Sequence, residues 1–95
     1  MTYEVIVEPE AISDLMAIYK YISEQDSKNK ATKFTNELKE TLSSLSTLPH
    51  RCRPSLYMDH VDVRDLIYKG YTIVFQIREN TVHILTVFRQ RAYQN

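Results

Sequence analysis

The chain opens on a short β-branched run, Tyr3-Glu4-Val5-Ile6-Val7-Glu8, that Pro9 closes. Proline cannot donate to a strand ladder but fits the first turn of a helix, so the pattern predicts a strand that passes directly into a helix. From Pro9 to about Glu24 the apolar residues Ala11, Leu15, Ile18 and Ile22 recur at helical spacing, with Ser13, Asp14, Lys20 and Glu24 elsewhere on the wheel. That is one face of an amphipathic helix. Gln25-Asp26-Ser27 interrupts the stripe, and the Ser27 hydroxyl can accept from a free first-turn N–H of a second helix. Ala31, Phe34, Leu38, Leu42, Leu45 and Leu48 continue the spacing until Pro49, which predicts a helix of roughly 30 Å packed antiparallel to the first.

His50 to His60 keeps no steady period and contains Pro54, so it reads as a connecting loop. Beyond it the period changes from 3.6 to 2. Val61, Val63 and Ile67 begin one strand; Tyr71, Ile73, Phe75 and Ile77 alternate with Thr72, Val74, Gln76 and Arg78 in the next; and Val82, Ile84, Thr86 and Phe88 alternate with His83, Leu85, Val87 and Arg89 in the last. Lys69-Gly70 and Glu79-Asn80 are the expected turns, because Gly and Asn tolerate the positive φ of tight hairpins. The predicted order is β-α-α-β-β-β. It describes a single α+β domain over residues 1–95, with the helical hairpin packed on one face of a mainly antiparallel four-stranded sheet. Leu15, Ile18, Phe34, Leu38 and Leu42 should meet Ile73, Phe75 and Ile84 in its core.

Composition narrows the chemistry. No apolar run approaches the length of a bilayer span, and the first residues lack the blocks of a signal peptide, so a cytoplasmic protein without a membrane partner is expected. The single Cys52 has neither a disulfide partner nor metal-site spacing, and reads as an inert thiol. His50, His60 and His83 are scattered, and no nucleotide, zinc or redox motif is present, so neither a metal nor a cofactor is expected.

Twelve basic residues balance twelve acidic ones, which argues against holding nucleic acid by bulk charge. The balance hides a division. Residues 1–48 hold five Lys against eight acids, a net of −3, whereas residues 49–95 hold six Arg and Lys69 against four acids, a net of +3. Guanidinium groups suit bidentate contact with carboxylate or phosphate, so the second half is where an anionic partner would be received.

Several linked pieces together point to a family. Ala11-x-x-Asp14-Leu15-x-x-Ile18-x-x-Tyr21-Ile22, Ala31-x-x-Phe34 and Leu45-x-x-Leu48-Pro49 resemble the helical hairpin of ParE-type toxins. Val63-Arg64-Asp65-Leu66, Gly70-Tyr71-x-Ile73-x-Phe75-x-Ile77 and Val82-x-Ile84-Leu85-x-Val87-x-Arg89 resemble the sheet of the wider RelE/ParE superfamily, so that the likeness covers nearly the whole chain. It implies the toxin of a bacterial type II toxin–antitoxin pair, neutralised by an antitoxin and touching operator DNA only through it. In the ribonuclease branch, an arginine of the second strand and basic and tyrosyl residues near the carboxyl terminus line an mRNA site on the sheet's open face. Arg64, Arg89, Arg91 and Tyr93 stand at comparable places.

The sequence also departs from that branch. Metal-free cleavage by the 2′-hydroxyl needs a base, a donor to the phosphorane charge and an acid for the leaving oxygen, and arginine is a poor proton carrier. Ser55 to Asp62 supplies no Lys or Arg, offering only Asp59, His60 and Asp62. The resemblance is therefore closer to the ParE-like branch, implying a non-enzymatic poison of DNA gyrase; a RelE-like, ribosome-dependent mRNA endonuclease is the alternative, and a degenerate, purely regulatory member is a third. Arg51, Arg53, Arg64, Arg89, Arg91 and Tyr93 are the expected partner-binding residues.

Overall fold

The computed structural model describes residues 2–89. Strand β1 (Glu4–Val7) leads through Pro9, at the first helical position, into α1 (Pro9–Gln25). Helix α2 (Lys28–Ser43) starts where the Ser27 hydroxyl accepts from Lys30 N at 3.1 Å, as the capping reading requires. It ends sooner than its apolar stripe. A 3-10 turn over Ser44–Ser46 carries Leu45 into the core, and Leu48 then adopts left-handed backbone (φ 51) with its side chain exposed. The stripe was continuous because Leu45 is buried from the tighter turn, while Leu48 belongs to a reversal before Pro49.

The expected loop also contains structure. A second 3-10 turn, Pro49–Arg51, is followed by a two-residue strand β2 (Arg53–Pro54). Strands β3 (Val63–Tyr68), β4 (Tyr71–Arg78) and β5 (Thr81–Arg89) complete the sheet. The sheet has five strands, in the order β1-β5-β4-β3-β2, where four were expected. β2 escapes sequence reading because two residues, one of them proline, cannot show alternation. The pairings are antiparallel except for β1, which lies parallel to β5 with Val5 opposite Val82.

Both hairpins turn at the predicted residues. Lys69 and Gly70 both take positive φ (48° and 86°), as a type I′ turn demands. In the second turn Glu79 carries the positive φ (53°), not Asn80.

The core lies between the helical hairpin and one face of the sheet. Ala11, Leu15, Ile18, Leu38, Leu42 and Leu45 pack on Tyr71, Ile73, Phe75, Ile77, Val82, Ile84 and Val87. Phe34 is only half-buried, tilted against Tyr71 with ring centroids 5.3 Å apart. Beyond Ile84, β1 no longer accompanies β5, and Leu85 is an extra residue in the β4–β5 register. Asp14 of α1 closes that free edge: its Oδ2 accepts from Thr86 Oγ1 at 2.6 Å and from Val87 N at 2.9 Å.

Candidate functional site

Three of the expected partner-binding arginines are engaged within the fold. Arg51 Nη1 donates to the carbonyls of Thr47 (2.7 Å) and Leu48 (3.1 Å), closing the turn that ends the helical hairpin. Arg53 on β2 lies opposite Asp65 on β3, and Nη2 stands 3.5 Å from Asp65 Oδ2. Arg64 pairs with Phe75, and paired residues share a sheet face. Its side chain thus projects on the helix side, where Nη1 donates to the carbonyls of Cys52 (2.9 Å) and His50 (3.2 Å). This corrects the expectation of Arg64 on the open face; its side is set by the pairing with Phe75 on β4, a long-range register that the sequence pattern did not fix. Arg89, exposed at the end of β5, lies opposite Tyr71 and shares the helix side as well. Arg91 and Tyr93 lie outside the described residues.

The other face of the sheet is not bare. Val63, Asp65, Thr72 and Val74 are buried there, and residues 55–60 fold over it. Leu56 N donates to Asp65 Oδ2 at 2.9 Å, and the Tyr57 ring stands edge-on to Phe88 with centroids 5.0 Å apart. Asp65 is 2% exposed, and its second carboxylate oxygen has no protein partner. A buried carboxylate is costly unless its oxygens are satisfied. Here its role is to anchor the loop backbone and the β2 arginine together.

On the helix side, a groove of about 610 Å³ opens between β1, α1 and α2. Val5, Val7, Leu15, Leu42 and the buried Thr35 form its floor, Ile12, Met16 and Tyr19 one wall, and the exposed Lys39 and Asn36 stand opposite. Ile12 and Met16 are 48% and 68% exposed. The sequence reading passed over this second apolar row of α1. Its signal was present, since Ile12, Met16 and Tyr19 keep helical spacing beside the main stripe.

The remaining reactive groups are tied into the scaffold. Cys52 is a free, buried thiol, pushed up from its ordinary pKa by burial against the opposing influence of Arg51 and Arg64. His83 Nδ1 meets Glu8 Oε2 at 2.7 Å, joining β5 to the start of α1. Glu37 of α2 accepts from Lys69 Nζ and from Tyr68 Oη, each at 3.1 Å, which holds its carboxyl below the usual range and raises Lys69. Among the described residues no three His, Cys, Asp or Glu side chains gather where a metal ion could be held. No helix among them is long and apolar enough to cross a membrane.

A family model described as the ParE toxin of the type II toxin–antitoxin system parDE matches residues 5–92. Among solved structures, the chain is similar to one from a chromosomal ParDE toxin–antitoxin system of P. aeruginosa, with a TM-score of 0.82 at 20% identity, covering 95% of this chain and 98% of that one. It is also similar to one from the toxin–antitoxin complex RelBE2 of Mycobacterium tuberculosis, with a TM-score of 0.72 at 19% identity, covering 95% and 93%. No curated protein sequence matches the chain.

Proposed function

Because the chain belongs to the ParE toxin family of type II toxin–antitoxin systems, we propose that it arrests growth by binding DNA gyrase and poisoning its cleavage cycle, and that a cognate antitoxin neutralises it. The observation that carries the gyrase reading is the placement of Arg64. In a ribonuclease this guanidinium has to be free to meet transition-state charge on the open face. Here it points to the helix side and is bonded to two backbone carbonyls. Toxicity then resides in a surface and not in a cleavage centre. We assign Arg89, Arg91 and Tyr93 to contact with the target.

The antitoxin is assigned to the groove on the helix side. Exposed Ile12 and Met16 beside an apolar floor suit the nonpolar face of an amphipathic segment, and Lys39 on the rim suits its acidic residues. The deciding experiment induces the chain alone in a bacterium and compares DNA breaks and supercoiling with mRNA integrity. Purified gyrase and ribosome-bound mRNA are assayed in parallel. A gyrase poison tolerates Tyr93→Phe, which keeps the aromatic surface, and is weakened by charge reversal at Arg89 and Arg91. Ribosome-dependent cleavage that Tyr93→Phe abolishes would refute the gyrase reading in favour of the nuclease.

A further inference from the structure

The connection between β2 and β3 has an unusual surface. Among the described residues nine large apolar side chains are exposed, and four of them, Leu56, Tyr57, Met58 and Val61, fall within six consecutive positions. Leu56 and Val61 are 71% and 79% exposed. Soluble surfaces scatter such residues singly, and a cluster marks a contact surface.

This exposure does not come from a slack loop. Ser55 Oγ accepts from Tyr57 N (3.0 Å) and Met58 N (3.2 Å), and His60 Nδ1 accepts from Asp62 N at 3.1 Å. Both ends are tied to the sheet, by Ser55 N to Val63 O and by Ile77 N to Asp62 O, each at 2.9 Å. From beneath, the buried Asp65 carboxylate holds Leu56 N, and Tyr57 leans on Phe88. The apolar side chains are thus presented in a fixed arrangement, which reduces the entropy lost when a partner closes on them.

Charge then selects the partner. The fixed charges within residues 55–62 are Asp59 and Asp62, both exposed. Two carboxylates repel a phosphate backbone and complement a cationic rim. We propose that the Ser55–Asp62 loop docks the toxin onto its cellular target, a protein whose apolar cleft receives Leu56 and Met58 and whose basic rim faces Asp59 and Asp62. The proposal rests on the toxin reading of this chain, but not on gyrase being the target. The loop covers the sheet face opposite the groove assigned to the antitoxin.

The test compares wild type with three variants of the full chain, each first shown to melt with the wild type. Leu56→Ser with Met58→Ser removes the apolar contact. Target affinity should fall roughly tenfold to a hundredfold, read as a comparable rise in the toxin level needed to arrest growth. Leu56→Met with Met58→Leu keeps the apolar bulk and should retain full potency. Asp59→Lys with Asp62→Lys should weaken arrest; if it strengthens arrest, the loop is meeting phosphates and the protein-cleft proposal is overturned. Inhibition of supercoiling by purified gyrase is measured alongside. Wild-type arrest without gyrase inhibition, lost in the serine variant, upholds the loop and removes gyrase as the target. Equal arrest and equal gyrase inhibition by wild type and the serine variant overturn the loop and leave the gyrase reading standing. If wild type does not arrest growth, the toxin reading fails and the loop proposal fails with it.

Discussion

Arg64→Ala separates a scaffolding arginine from a catalytic one. In the wild type the guanidinium donates to Cys52 O at 2.9 Å and His50 O at 3.2 Å, fixing the segment that turns from the helical hairpin into β2. A hydrogen bond from a charged donor contributes about 1.5–3 kcal/mol. Two such bonds contribute about 3–6 kcal/mol, but Arg64 Nε is buried without a partner, and its desolvation offsets about 1–3 kcal/mol of that, leaving a range of about 0–5 kcal/mol whose middle sets the expectation. The expected net loss is therefore about 2–3 kcal/mol. For a domain of this size each kcal/mol moves the melting midpoint by roughly 4–8 °C, so the variant should melt roughly 10–20 °C below wild type. Calorimetry and urea unfolding measure this directly, and Arg64→Lys, whose shorter side chain has to carry its ammonium to the place of Nη1, should fall between the two. Toxicity should decline only as far as the folded fraction does. An Arg64→Ala protein that melts within about 2 °C of wild type yet has lost toxicity would refute the reasoning, because Arg64 would then be acting on a substrate.

Asp14→Ala leaves Thr86 Oγ1 and Val87 N without their acceptor; since an unsatisfied buried donor costs about 1–3 kcal/mol, thermal unfolding should show a loss of at least that size, and Asn, which keeps one acceptor oxygen, should recover part of it. The Glu37–Lys69 pair predicts a pH window for stability. Glu37 is held below its ordinary pKa, so its contribution is present above the unfolded value of about 4.3 and is lost as pH falls through the lower folded value; Lys69 is raised, so its contribution is present below about 10.4 and is lost as pH climbs through the higher folded value. The melting difference between wild type and Glu37→Gln should accordingly be largest near neutral pH and shrink in acid, in strong alkali and in concentrated salt. Glu79→Gly should be neutral to stabilising by up to about 1 kcal/mol, because the left-handed backbone at that position (φ 53) disfavours a side chain; a clear destabilisation in the melting curve would contradict that. Cys52, buried and with its thiol pushed up, should react with a thiol reagent at neutral pH only at the rate of unfolding.

Where burial is periodic, the sequence was readable. Leu15, Ile18, Leu38 and Leu42 on the helices and Ile73, Phe75 and Ile84 on the strands occupy the core as their spacing predicts, because each faces the same neighbour layer along its element. Reading failed where a residue's place depends on chain partners distant in sequence. Leu48 fits the helical stripe but sits in a left-handed reversal, and Arg53-Pro54 becomes a strand only because β3 lies alongside it. The site suffered most from this. The types and positions of Arg51, Arg53 and Arg64 were plain, but which carbonyl or carboxylate each would meet is decided by contacts spanning up to fourteen residues. A count of positive charge therefore did not show that Arg51, Arg53 and Arg64 also hold groups within the fold.

That difference changes how the net charge of the second half acts. Of its seven cations, Arg51 holds carbonyls of the hairpin turn, Arg53 faces Asp65, Arg64 holds two carbonyls and Lys69 faces Glu37. Arg78 is bonded to Gln76 Oε1 through Nε and Nη2. A guanidinium bonded to carbonyls keeps its charge but presents fewer free donors, so it still attracts an anion at long range without offering the bidentate grip that gives specificity. Long-range attraction between exposed charges fades over about 8–10 Å at ordinary ionic strength, whereas apolar contact does not depend on it. Under the proposals above, apolar contact would come from the groove walled by Ile12, Met16 and Tyr19 on one face and from the loop bearing Leu56, Met58 and Val61 on the other, with Lys39 and the Asp59 and Asp62 carboxylates supplying their charge. One sheet separates them.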